Sequence, residues 1–125
     1  MVIKIPHVVL EGEIKTREIK TQDIFKEIEP LFIKEENLLI RSTNSFLSLD
    51  ESTILIEILV IEKNIKNQFF AIVNQREDGV VVRIHPMVEV EKTNGVKKSL
   101  AEIGKQVLTK FKGTKVGKTN LSEFL

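Results

Sequence analysis

The chain has 125 residues, 42% of them hydrophobic and 30% charged, with a formal net charge of +1 and no cysteine, tryptophan or tyrosine. This length suits a single hydrophobic core, and the lack of cysteine excludes disulfides, thiolate metal sites, iron–sulfur clusters and cysteine nucleophiles together. No stretch approaches the ~20 apolar residues of a membrane helix and the opening MVIKIPHVV lacks a signal-peptide pattern, so a cytoplasmic protein without membrane association is expected.

In chain order, His7 to Lys15 predicts a strand with Val8, Leu10 and Ile14 on one side. The near-repeat Glu13-Ile14-Lys15-Thr16 and Glu18-Ile19-Lys20-Thr21 has a period of five that fits neither helix nor strand, and reads as strand end, connector and helix entry. Thr21 is the expected N-cap of a first helix, with Asp23 and Glu27 near its positive end. Ile24, Ile28 and Leu31 share its apolar face, joined by Phe25 and Phe32. Pro30 removes a backbone donor and should stop or kink the helix near Glu29.

Beyond the polar break Lys34–Asn37 come four runs with strand character: Leu38 to Ser42 or on to Leu49, Thr53–Glu62, Gln68–Arg76 and Val80–His85. Asp78-Gly79 between the last two is a hairpin signal, so the runs read as an antiparallel meander. A second helix is expected from Gly95 to Phe111, capped by Thr93 or Asn94, with Val96, Leu100, Ile103, Val107 and Phe111 at helical spacing. The expected organisation is one α+β domain over residues 1–112, followed by a tail, 113–125, loose apart from docking by Leu121, Phe124 and Leu125. Strand, helix, four antiparallel strands and helix make one antiparallel sheet with both helices on one face. This element order resembles that of TATA-binding-protein-like and helix-grip domains, a resemblance of topology that implies no particular function.

Charge is unevenly placed: residues 1–62 hold 7 Lys/Arg against 12 Asp/Glu, and residues 63–125 hold 12 against 6. Between Lys92 and Lys118, the lysines Lys92, Lys97, Lys98, Lys105, Lys110, Lys112, Lys115 and Lys118 face only Glu102. Such asymmetry suits an anionic partner, or neutralisation by the acidic half of the same or a second copy. Abundant Lys, Glu and Ile also fit a thermophilic source or a low-GC genome.

The run ILIEILVIE, residues 54–62, raises one question, which is why Glu57 interrupts it. Alternation sets Ile54, Ile56, Ile58 and Val60 on one side, with Phe69, Ala71 and Val73 and with Val80, Val82 and Ile84 as their counterparts. The other side then collects Glu57, Asn74, Arg83 and His85 as candidate ligand-binding groups among Leu55, Leu59, Ile61, Phe70, Ile72 and Val81. Two short helices cannot cover both faces, so a contiguous apolar patch needs a partner. A second copy could pack there with Glu57 paired to Arg83, a small molecule could sit there, or nucleic acid could lie across it. The lack of Tyr and Trp and the presence of Glu57 disfavour the last.

Thr93, Asn94 and Gly95 at a helix start, beside Lys97 and Lys98, form a candidate anion site for which capping is an alternative explanation. Gly117-Lys118-Thr119 ends like a phosphate loop, but Lys112 stands where a glycine is required. The two histidines, His7 and His85, have no carboxylate cluster at ligand spacing, and Ser42, Ser45 and Ser48 have no nucleophile elbow. No metal, cofactor or catalytic residue is therefore assigned. The expected function is a non-enzymatic binding module that homodimerises through the open sheet face. The alternatives are a small-molecule-binding or enzymatic domain using the polar cluster, and nucleic-acid binding by the basic last helix.

Overall fold

The computed structural model describes residues 7–11, 13–14, 17–18, 20–76, 79–86, 90–111 and 114–125. In chain order these form β1 (His7–Glu11), the short strands β2 (Glu13–Ile14) and β3 (Arg17–Glu18), α1 (Thr21–Glu27), β4 (Phe32–Glu35), β5 (Leu38–Leu47), β6 (Thr53–Glu62), β7 (Ile65–Arg76), β8 (Gly79–Ile84), α2 (Asn94–Lys110), β9 (Lys115–Thr119) and a 3-10 turn, Ser122–Phe124. An antiparallel sheet runs in the order β4-β5-β6-β7-β8-β1-β9, and β2 pairs with β3 apart from it. The architecture is α+β with an antiparallel sheet.

The five expected strands lie side by side, and a short strand at each edge widens the sheet to seven. At one edge is β4, which takes Phe32 from the helix to which periodicity had assigned it. Pro30 is the reason: it disfavours helical geometry in Glu29, and α1 ends at Glu27 with Ile28 already extended at ψ 136°. The polar break is then the β4–β5 turn, with Asn37 at φ 63°. At the other edge, the tail expected to be loose supplies β9, which pairs with β1, and Leu121 is buried in the core. Lys115–Thr119 is therefore strand, and the phosphate-loop reading has no structural counterpart.

Turn chemistry lengthens the central hairpin. Lys63 and Asn64 both take positive φ, 47° and 67°, the geometry of a two-residue turn matched to strand twist. Ile65 therefore pairs with Glu62, and β7 begins three residues before the expected Gln68. Of the Asp78-Gly79 signal, Asp78 lies outside the described residues, as do Gly12 and Lys15 of the expected first strand, which ends as β1 at Glu11 while Glu13–Ile14 pair with Arg17–Glu18. Gly79, at φ 151° and paired with Arg76, opens β8.

Registers confirm the inner face. Ile54 pairs with Val73, Ile56 with Ala71 and Ile58 with Phe69, while Val73 pairs with Val82 and Ala71 with Ile84. All of these are buried, with Val8 of β1 and Ile40 of β5, against Ile24, Leu31, Val96, Leu100, Ile103 and Val107. Both helices pack on this side. Thr21 is not the N-cap of α1: Lys20 holds that position without a side-chain bond, and Thr21 is buried inside the first turn. Its N–H and Oγ1 both donate to Gln75 Oε1, at 2.7 and 2.9 Å, which ties α1 to the end of β7.

At the start of α2, Thr93 is the N-cap and accepts from Val96 N at 3.2 Å. A Cβ on Gly95 would stand 2.8 Å from Val60 Cγ1 and 2.6 Å from Glu62 Cδ, so the close seating of α2 on β6 requires glycine there. Gly104, mid-helix, would bring its Cβ no nearer than 3.5 Å to Val8 Cγ1. Gly95→Ala should therefore lose about 1–3 kcal/mol to overpacking. Gly104→Ala should gain about 0.5–1 kcal/mol from helix propensity. Urea unfolding of the two variants checks the opposite signs.

Candidate functional site

Glu57 lies opposite two residues of β5. The pairs Ser42↔Ile58 and Ser45↔Ile56 leave both Thr43 and Asn44 facing it, which is a β-bulge. Thr43 Oγ1 donates to Glu57 Oε1 at 2.5 Å, and Asn44 Nδ2 reaches the same oxygen at 3.5 Å. The carboxylate thus holds the bulge, which answers why it interrupts an apolar strand. Within one chain Glu57 and Arg83 do not pair: Glu57 shares a row with Phe70, whereas Arg83 is one row away beside Ile72.

The bulge resets alternation along β5. Ile40 faces the core before it, and Leu47 packs toward the core after it. An unbroken strand from Ile40 would have turned Phe46 inward. Phe46 instead pairs with Leu55 on the open face and is 50% exposed. There it walls an open cavity of about 340 Å³ with Leu47, Ser48, Thr53, Leu55, Ile72, Asn74, Arg83, His85 and Pro86.

Three of the four candidate ligand-binding residues, Asn74, Arg83 and His85, line this cavity, and Glu57 borders a neighbouring one with Gln68 and Phe70. The polar groups are ordered by one another. Asn74 Nδ2 donates to Thr53 Oγ1 at 3.0 Å, and Asn74 Oδ1 accepts from Arg83 Nε at 3.2 Å. Of the candidate interface residues, Leu55 and Ile72 line the cavity, while Leu59, Ile61, Phe70 and Val81 are half-buried. Ile72, at the centre of the open face, is only 4% exposed. Sequence periodicity missed Phe46, Thr53 and Pro86, and the polar stretch Ser42 to Ser45 carried no pattern that would have placed Phe46 on this face.

The candidate anion site is already filled from within. Glu62, at the end of β6, accepts from Thr93 Oγ1 through Oε1 and from Gly95 N at 3.1 Å through Oε2. A carboxylate of the chain thus takes the place at the helix start that Thr93, Asn94 and Gly95 offered to an external anion. Lys98 is drawn off to Glu35 at 2.6 Å, while Lys97 is half-buried along α2. Lys110 pairs with Glu29 at 3.2 Å and Lys105 with Glu102 at 3.1 Å. Among the described residues no group of three or more His, Asp or Glu is placed to hold a metal ion. None of their helices is long and apolar enough to cross a membrane.

Comparison with family models, with curated proteins and with solved structures found no match.

The loop at the cavity rim is ordered by Asp50. Its Oδ1 accepts from Ser48 Oγ at 2.7 Å, Ser52 Oγ at 2.7 Å and Ser52 N at 3.0 Å. The Ser48 hydroxyl first, then the Ser52 side chain and backbone, lower its pKa from the ordinary 3.8 to about 2. A depressed folded-state pKa gives stability that is complete above the unfolded value and is lost as pH falls through the folded one. Replacing Ser48 and Ser52 with Ala together should raise the Asp50 titration midpoint, followed by carboxyl NMR, from about 2 toward 3.8.

Glu57→Leu should release the bulge. Amide hydrogen exchange over Thr43–Leu47 should quicken by about tenfold, the loss of roughly one charge-assisted hydrogen bond, with the β7–β8 ladder unchanged.

Proposed function

We propose that the chain is a binding module without catalytic chemistry of its own, and that its working surface is the open face of the sheet, where it holds a small molecule. One observation carries this reading: Asn74, Arg83 and His85 converge on a single cavity whose remaining wall is mainly apolar, through Phe46, Leu55, Ile72 and Pro86. A concave, mostly apolar surface with a few positioned polar groups is the usual form of a small-molecule site. The resemblance of element order to TATA-binding-protein-like and helix-grip domains supports a sheet face as the working surface and assigns no ligand. A cytoplasmic location belongs to the same proposal and rests on the absence of cysteine.

A second reading, homodimerisation through this face, is favoured by the apolar surface that continues past the cavity. Phe32 is 69% exposed, and Phe70, Leu59 and Ile61 are half-buried on the same side. Sheet-to-sheet packing would cover them. Nucleic-acid binding by α2 has less support, because Lys98, Lys105 and Lys110 are engaged by carboxylates of the chain.

Light scattering on the wild type and on Phe70→Lys, with amide shifts recorded against a set of small apolar and amphiphilic fragments, separates the two. The small-molecule reading expects a mass near 14.3 kDa for both and fragment shifts centred on Phe46, Ile72 and Asn74. A mass near twice that value, reduced by the substitution, would replace it with the homodimer.

A further inference from the structure

We infer that the open-face cavity is a site for amphiphilic monocarboxylates, with Arg83 receiving the carboxylate and Phe46, Leu55, Ile72 and Pro86 receiving the apolar body. The inference rests on the small-molecule reading above and names the class of ligand.

Arg83 fits the carboxylate end. Its Nε is committed to Asn74 Oδ1 at 3.2 Å, and Asn74 is itself fixed by Thr53. The guanidinium is thereby oriented, while its two terminal nitrogens have no partner among the described residues. Those nitrogens form a planar fork that matches the two oxygens of a carboxylate, and the side chain is half-buried, where a charge-assisted pair gains more than in open water.

No described acidic side chain competes for Arg83 within the cavity, since none of the described lining residues is acidic. Glu57, the acidic residue set on the same face by register, has its Oε1 bonded to Thr43 and Asn44 one row away. A ligand carboxylate therefore meets a cation and, among the described lining residues, no facing anion.

The remaining wall sets the rest of the ligand. Beyond Arg83, Asn74, Thr53, Ser48 and His85, the wall is aromatic, aliphatic or proline, and the volume of about 340 Å³ lies toward the small end for ligand sites. No lysine is among the described lining residues, so a phosphate dianion would be poorly neutralised. A ligand with one carboxylate and a short apolar body uses both parts of the wall.

The test compares three probes of equal chain length, octanoate, octan-1-ol and octylammonium, by amide and methyl NMR titration of the full chain. Octanoate should bind at least about tenfold more tightly than octan-1-ol, as one charge-assisted fork requires, and octylammonium should be weakest. Arg83→Met should bring octanoate down to the alcohol while leaving alcohol binding unchanged. Arg83→Lys, which keeps the charge and loses the fork, should fall between and serves if the Met variant does not fold. Equal binding of acid and alcohol by the wild type would overturn the carboxylate assignment and leave the small-molecule reading standing. No shift at Phe46, Ile72 and Asn74 with any probe would overturn both. Shifts there that follow protein concentration in place of octanoate would make a second copy the occupant, and the inference would fall.

Discussion

The hydrogen bonds from Thr43 and Asn44 to Glu57 decide what the outer side of this sheet looks like. Strand alternation is rigid, so an added residue is one of the few ways to send a side chain to the opposite face without ending the strand. Here the added residue leaves the core pairing of Ile40 with Val60 intact and also delivers Leu47 to the core opposite Ile54. Phe46 then falls on the open face, above Leu55 and next to the Asn74–Arg83 pair. The cavity exists because one strand is a residue longer than its partner, and a carboxylate holds the excess in place.

Carboxylates elsewhere in the chain also serve internal ends. Glu62 closes the N-terminus of α2, where backbone N–H groups lack helical partners, and Gly95 lets the helix come close enough for that contact. Glu29 and Glu35, both from the acidic half, meet Lys110 and Lys98 from the basic half. Exposed pairs of this kind contribute about 0–1 kcal/mol each, so they orient α2 over the sheet more than they stabilise it. The opposite charges of the two halves, which from composition alone suit an external polyanion, are partly satisfied within the fold. What composition registers as a potential partner is, at these positions, the other end of the same chain.

The inner face was legible because burial on one side of a strand leaves a period of two, and β6, β7 and β8 carry it almost without interruption. The buried stripe of α2 was legible for the same reason at a period of 3.6. Three features were not, each for a local cause. Phe32 matched the helical spacing of Ile24 and Ile28, and the backbone restriction before Pro30 overrode it. Lys63-Asn64 lacks the glycine that usually marks a tight hairpin, although Asn tolerates positive φ, so the turn looked longer than it is. The bulge left no periodic trace, because Ser42 to Ser45 is a polar stretch in which a shift of one residue changes nothing a hydrophobic pattern can register. Parity did place Glu57, Asn74, Arg83 and His85 on one face, but not how they divide: the bulge of β5 takes up Glu57, while the other three line the cavity.

That division matters for function. Glu57 and Glu62 are polar residues with structural uses, one at a bulge and one at a helix start, and no ligand is needed to account for them. Arg83 is different. A half-buried guanidinium is costly to desolvate, and an apolar residue of similar size at this position, between Ile72 of β7 and His7 of β1, would serve a β-sheet as well or better. Asn74, itself fixed by Thr53, accepts from its Nε and holds it in one orientation, an arrangement that fixes direction while leaving the terminal nitrogens without a partner among the described residues. A fold gains little from a cation positioned in this way, whereas the proposed site would gain a pre-oriented donor whose ordering cost is met before a ligand arrives.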